Sequence, residues 1–344
     1  MNDSLLTFLG DVFPKDPVDV RVALDGALVP NLESPLTDRT IGYPGKINLR
    51  ATAANLAATF SPLPLAVGLA NNHIMDFGTG GFADTVAALR SLGVKYFGAG
   101  DPSDGFGNPL QVEVAGVKVA LLAYAHESSS PVFHTAEHPG AARLSIEAVR
   151  HDVSVSRDLG AQRVVVLAHW GDEQISLPSP GCVQLGRSII DAGADLLIGH
   201  HAHCIQSYEL YAGKYIFYGL GNCIFPPHQS PSYFDTTGRS TQRADSRPSL
   251  RNRRSLAVSW DPVSESVTVT PLLFEQDTLV KGRFDYRRHL LKLDTLERYE
   301  ARYVRAYKWG KLRHTIARFV ARPKLPRLHH LRTIAKSLGS GTQR

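Results

Sequence analysis

The sequence predicts an α/β protein whose chemistry gathers at one sheet edge. Two observations carry that prediction. Apolar runs of strand length alternate along the chain with helical stretches, the pattern of βαβ units. Five of those runs end in a small polar cluster: Gly10-Asp11, Asn31-Leu32-Glu33, Asn71-Asn72-His73, His169-Trp170-Gly171 and Gly199-His200-His201-Ala202-His203. In such sheets, sites lie beyond the carboxyl ends of the strands. A single Asp or Asn after a strand is a turn former or a helix cap. Five ends carrying Asp, Glu, Asn and His exceed what turns require.

Taken in order, residues 5–9 read as a first buried strand, and residues 20–24 and 27–31 are strand-like. Residues 48–60 are Ala-rich and helical. Residues 65–69 form a strand, and 82–92 a helix closed by Gly93. Residues 112–114 and 117–123 form a hairpin across Ala115-Gly116. Residues 145–159 are a helix, 164–167 a strand, and 182–192 a helix that feeds Leu196-Leu197-Ile198. Residues 204–211 and 214–220 form a second hairpin through Ala212-Gly213. Tyr211 then opposes Lys214, and the same register carried outward sets Asn222 opposite His203. Residues 256–260 and 266–274 are the last strands. Trp170 reads as packing.

The run Leu196-Leu197-Ile198 is the centre of the pattern. Gly199 is expected to let the backbone turn sharply after it. In extended chain His201 and His203 would point to one side together, and neutral imidazole is the commonest ligand for a transition metal.

The 344 residues, 43% hydrophobic, suffice for a large α/β domain and an appendage. The expected division is a domain over 1–280 and a basic helical extension over 281–344. Residues 298–344 hold 13 Lys+Arg and one acid, Glu300, while the rest holds 25 Lys+Arg and 31 Asp+Glu. A mildly acidic body thus carries a strongly basic tail. Three cysteines, Cys182, Cys204 and Cys223, imply no disulfide framework. The opening MNDSLLTFLGDVF has no basic region and only a brief apolar run, so neither a signal peptide nor a membrane anchor is expected there. No stretch is long enough to span a membrane. A cytoplasmic location is expected.

Asp11, Glu33, Asn72, His169, His201 and His203 supply three oxygen donors and three imidazoles. That set suits Mn, Fe or Zn better than a thiolate site would. It is too large for one tetrahedral ion. It fits one or two divalent ions, a pair being bridged by a carboxylate. His73, beside Asn72, is set to protonate a leaving oxygen. Asn71, His200, Asp172, Glu173 and Asn222 stand next to these residues, where they would orient ligands or touch substrate.

FLGDVF, PNLESPLT, LANNHIMDFG, LAHWGDE, DAGADLLIGHHAHCIQ and YGLGNCIF stand in the order seen in the CapA family of poly-γ-glutamate capsule synthesis proteins, which resemble calcineurin-like metallophosphoesterases. The resemblance covers residues 5–274. It implies a metallophosphatase-type four-layer α/β/β/α sandwich. It also implies ligand roles for Asp11, Glu33, Asn72, His169, His201 and His203, and an acid role for His73. Two departures from the wider pattern stand out. Phe13 occupies the histidine position of the usual Asp-x-His, and Glu33 replaces the usual bridging Asp.

The function expected is a metal-dependent hydrolase of a phosphoester or an anionic polymer, in capsule, poly-γ-glutamate or exopolysaccharide biosynthesis. A non-catalytic accessory protein that holds an anionic envelope polymer remains open. A nucleic-acid phosphodiesterase is the weakest reading, and nucleic acid is disfavoured as a partner. Residues 239–254, with six arginines, read as a solvated loop or as an arginine lid over an anionic polymer. In the tail, Tyr299, Tyr303, Ala306, Tyr307 and Gly310 follow helical spacing, as do Leu312, Ile316, Phe319 and Val320, until Pro323 and Pro326. The second group, flanked by basic residues, suits an anionic membrane surface at its inner face.

Overall fold

Near-continuous apolar strands, buried on both faces, build two stacked sheets. The structure, a computed structural model, describes residues 4–101, 107–235, 237, 240–246, 248–291 and 296–321. The chain begins β1 (Leu6–Val12), β2 (Asp19–Val20), β3 (Ala27–Leu32), α1 (Ala53–Thr59), β4 (Ala66–Gly68), α2 (Gly78–Ser91) and β5 (Lys95–Phe97). It continues β6 (Ala99–Gly100), β7 (Leu110–Val114), β8 (Val117–Ala125), β9 (Gly140–Ala141), α3 (Ile146–Asp158), β10 (Arg163–His169), α4 (Pro180–Asp191) and β11 (Leu196–His200). Then come β12 (Tyr208–Tyr211), β13 (Lys214–Phe217), β14 (Asn222–Ile224), β15 (His228–Phe234) and β16 (Ser240–Ser246). Last are β17 (Arg254–Trp260), β18 (Val267–Glu275), β19 (Thr278–Lys281) and α5 (Leu296–Ala321).

One sheet runs β2-β19-β18-β17-β1-β3-β4-β5, with β14 also on β1; the other runs β12-β13-β11-β10-β8-β7. The sheets meet through β1 against β11 and β5 against β8. Helices α1 and α2 pack together with α2 on β5, and α3 and α4 pack together with α4 on β11 and β13. This is the four-layer α/β/β/α order.

The strand period places the core. Leu121, Val165, Leu167, Leu196 and Ile198 join Phe8, Val29, Val67 and Phe97 in one buried cluster between the sheets. Their neighbours Leu122, Val166 and Leu197 are buried too, but on the helix side. There Leu197, Trp170 and Tyr218 crowd Gly186 of α4. Trp170 does pack: its ring stacks on Tyr218 and its Nε1 donates to the Tyr218 carbonyl at 3.0 Å.

Several elements differ from expectation. The helix expected over 48–60 begins only at Ala53, because Thr52 caps it by accepting from Asn55 N at 3.2 Å. Of residues 20–24 only Val20 lies in a strand, β2, at the edge beside β19. Strand β12 starts at Tyr208, with Ile205–Leu220 reduced to an isolated bridge. Strands β5, β14 and β19 carried no strand signal strong enough to be expected.

Residues 239–254 are no simple loop. Strands β15 and β16 pair antiparallel across 228–246. Arg251 reaches Cys204 Sγ at 3.4 Å, Arg253 approaches Glu275, and Arg254 lies over the Phe284 ring. Those three arginines are engaged with the body. Arg239 and Arg247 lie outside the described residues.

The chain divides into two compact units, Met1–Lys292 and Leu293–Arg344. In the second unit α5 is one 26-residue helix spanning both periodic segments. Tyr303 and Tyr307 stack at 6.1 Å, Arg302 lies over Tyr299 and Lys311 over Tyr307. Pro323 and Pro326 lie outside the described residues. Among the described residues no helix is long and apolar enough to cross a membrane.

Candidate metal centre

Parallel register brings the strand ends together. On β1 and β3, Asp11 pairs with Asn31, and Glu33 follows one residue beyond the strand. Register slips between Leu9 and Asp11, which makes Gly10 the extra residue of a bulge. The bulge re-aims Asp11. Only glycine fits it, since a Cβ on Gly10 would sit 1.9 Å from the Gly221 carbonyl oxygen. In the other sheet His169 pairs with His200 at the ends of β10 and β11.

Gly199 does not turn the chain as expected. It lies inside β11, and its missing side chain admits the Tyr218 carbonyl, which a Cβ would meet at 2.0 Å. His201 and His203 do come together, but not as alternate residues of extended chain. Both adopt left-handed backbone, φ 83° and φ 52°. Such backbone is uncommon outside glycine and clusters at functional sites.

The donors form three overlapping groups, each with ligand atoms within 4.8 Å of one another: Asp11, Glu33 and His203; Glu33, His169 and His201; and Glu173, His201 and His203. His169 Nε2 and His203 Nε2 each stand 3.7 Å from Glu33 Oε1. Asn72 Oδ1 faces His169 Nε2 at 2.9 Å. Asn222 Oδ1 faces His203 Nδ1 at 2.8 Å, in the register the hairpin required. Strand β14 also pairs with β1, setting Asn222 beside Asp11. His200 Nδ1 lies 3.3 Å from Asp11 Oδ1. Asn71 is a brace: it donates to Asn31 Oδ1 and the Leu32 carbonyl, and accepts from His73 N. Asp172 belongs to none of the three groups. Phe13 is buried and packs on Phe225, whose ring lies 5.2 Å from His203.

Three residues of this neighbourhood went unforeseen. Asn31 donates to Asp11 Oδ1 at 2.9 Å. Asp76 accepts from Leu49 N at 2.6 Å and pairs with His73 Nδ1 at 2.7 Å. Lys46 meets Asp76 at 2.6 Å and also donates to the Asn72 carbonyl. Asp76 stands one helical turn after His73 within a motif already noted, so its spacing was a signal. Lys46 offered none.

Electrostatics follow from burial. Burial, then the charge of Asp11, pushes the Glu33 carboxyl well above the usual carboxylate range. Burial works the same way on Asp11, but His200 and His203 outweigh it and hold its pKa low. Burial lowers His73. It lowers His169 strongly, helped by the neighbouring histidines, and His201 to about 4. Neutral imidazoles are the form that ligates. Asp11 Oδ2, both Glu33 oxygens, His169 Nδ1 and His201 Nδ1 are buried without a hydrogen-bond partner. Buried polar groups are ordinarily satisfied, and an unpaired buried carboxylate is costly. A divalent cation among these atoms would resolve that cost, so the residues fit one.

An α/β/β/α protein with mixed carboxylate and imidazole donors at its strand ends is built like a metalloprotein. The chain belongs to the bacterial capsule synthesis protein family, PGA_cap, whose model matches residues 6–227. It is similar to the capsule biosynthesis protein CapA of Bacillus anthracis, 36% identical over 46% of this chain and 39% of that protein. It is also similar to the PGA biosynthesis protein CapA of Bacillus subtilis, 36% identical over 45% of this chain and 41% of that one. A "probable polyglutamine synthesis accessory protein" of Mycobacterium tuberculosis is 32% identical over 59% of this chain and 56% of its own length. The matches therefore span about two-fifths to little more than half of those relatives. Among solved structures, a 5'-nucleotidase precursor from Thermus thermophilus aligns at TM-score 0.44 and 14% identity, over 88% of this chain and 58% of that one. Haemophilus influenzae NAD nucleotidase aligns at 0.42 and 12%, over 87% and 59%. Likeness of that degree carries no inference about activity.

Proposed function

We propose that the protein is a metal-dependent hydrolase with a phosphoesterase-type site, acting on an anionic polymer or phosphoester in capsule, poly-γ-glutamate or exopolysaccharide biosynthesis. One observation carries the reading: Glu33, buried and unpaired, belongs to two donor groups at once. A carboxylate so placed suits a bridge. Asp11 and His203 would hold one ion with it; Asn72, His169 and His201 would hold the other. A divalent ion, Mn, Fe or Zn, supplies Lewis-acid polarisation and an activated water when bound.

The chain's own residues do the rest. Asp76 fixes His73 through Nδ1, so the far ring nitrogen can take a proton from water and, as an imidazolium held by the Asp76 charge, deliver it to the leaving oxygen. Lys46 holds Asp76 and the Asn72 carbonyl, so the turn carrying both Asn72 and His73 is braced from one side. Asn71 braces it from the other. Asn222 orients His203.

A second reading, an accessory protein that holds an anionic envelope polymer without turnover, is favoured by Phe13. It leaves the Asp11 group with a single imidazole. For location, we place the protein in the cytoplasm, with its basic tail against the inner face of the membrane. Charge supports this: 13 Lys+Arg against one acid over residues 298–344.

Elemental analysis of the purified protein, with a panel of aryl phosphates and phosphodiesters, tests the proposal. Bound metal and metal-dependent turnover are expected. His73→Asn should keep the metal and lose turnover by about 10²–10⁴-fold. Metal without turnover on any substrate would leave the second reading standing.

A further inference from the structure

The loop after β10 brings one more carboxylate to the centre, from the solvent side. Glu173 is exposed, yet an oxygen of it lies within 4.8 Å of a nitrogen of His201 and a nitrogen of His203. Its backbone is not free to drift. The Gln174 N–H donates to the Ala202 carbonyl at 2.9 Å, between the two histidines. Asn252 Nδ2 donates both to Gln174 Oε1 at 2.5 Å and to the His203 carbonyl at 2.7 Å. Gln206 Nε2 donates to the Ile175 carbonyl at 2.9 Å. Residues 174 and 175 are therefore stitched to the turn that carries the histidines, and Glu173 is held one residue away.

Two further observations point to a ligand there. His201 Nδ1 is buried without a hydrogen-bond partner. The Asp11, Glu33 and His203 group has one imidazole within it, with His200 Nδ1 beside Asp11 Oδ1 at 3.3 Å. The Glu173 group shares His203 with that group, so the two adjoin.

We infer, on the reading that this centre holds a divalent cation, that Glu173 is one of its ligands. It closes the coordination on the solvent side, beside His201 and His203. Asp11 and Glu33 are buried and fixed by their strands; Glu173 is the one exposed carboxylate among the three donor groups. It is therefore the ligand that an incoming anionic group can displace, while the buried ligands stay in place.

The test uses the full chain and Mn²⁺ alone as the probe. Metal-stripped wild type, Glu173→Gln and Glu173→Ala are titrated with Mn²⁺, followed by electron paramagnetic resonance, and bound metal is counted by elemental analysis. Both variants change an exposed residue, and circular dichroism checks their fold. At least one Mn²⁺ in each variant is expected to bind about 10–100-fold more weakly than in wild type. The loss should persist near 1 M salt, where the screening length is about 3 Å. Affinity within about twofold of wild type in both variants overturns the inference and leaves the centre intact. So does a loss that vanishes with salt, since that marks a distant charge rather than a ligand. Wild type that takes up no Mn²⁺ at all overturns the metal centre itself, and this inference with it.

Discussion

Replacing Asp76 with Asn should separate the brace from the centre it supports. Asp76 is fully buried and holds three groups: His73 Nδ1 at 2.7 Å, Leu49 N at 2.6 Å and Lys46 Nζ at 2.6 Å. Asn keeps the shape and one acceptor. It loses the charge, and its NH₂ must face either an ammonium or another donor. Removing one partner of a buried ion pair costs about 3–5 kcal/mol, chiefly because the other charge is stranded. The Lys46 side chain is 25% exposed, so it recovers part of its hydration. The lower end, about 3 kcal/mol, is expected. Urea unfolding of metal-free wild type and Asp76→Asn reads this as a shift of midpoint at equal slope. His73 also loses the acceptor that fixes its tautomer, so turnover should fall while bound metal holds. A loss under about 1 kcal/mol would refute the reasoning, because that is the scale of an exposed pair in exchange with water.

Three other outcomes are expected. His201→Ala and His203→Ala should each cut bound metal sharply while circular dichroism stays native; unchanged metal in both would sink the ligand assignment. Burial raises the thiols of Cys204 and Cys223, and that of Cys182 to about 11. At pH 8 all three should therefore be protonated and silent to a disulfide reagent until the protein is unfolded; rapid reaction of any of them in the native protein would contradict that burial. The tail should bind anionic vesicles and not neutral ones, and a chain ending near Gly310 should bind less. Co-sedimentation checks this, and equal binding by both chains, or indifference to lipid charge and salt, would rule the tail out as a membrane contact.

Much of this protein is determined locally. Short continuous apolar runs such as residues 164–167 and 196–198, too short for a helix and bounded by polar or small residues, specify strands buried on both faces. Ser145 and Ser179 start α3 and α4 by capping, a contact made within three residues. The polar clusters at strand ends named Asp11, Glu33, Asn72, His169, His201 and His203 for the same reason: parallel strands place their carboxyl ends on one edge. The hairpin register, carried outward through the isolated Ile205–Leu220 bridge, foretells Asn222 beside His203, and the pairing of β14 on β1 holds it there.

What the sequence could not determine depends on contacts between distant segments. The brace Lys46–Asp76–His73 joins a loop to a turn some thirty residues on, and no periodicity links them. The pairing of His201 with His203 was foreseen for the wrong reason. Extended chain would have aligned them, whereas left-handed backbone imposed by the surrounding fold does so. Gly10 and Gly199 look like turn glycines in the sequence. The structure makes them points of close approach, to Gly221 and Tyr218, over two hundred and about twenty residues away. Glu173 reads as the start of a loop until Asn252 and Ala202 tie that loop across the histidine turn. Local propensity reaches about one helical turn or one hairpin. Side chains that meet from different sheets are set by packing, and only the tertiary structure decides packing.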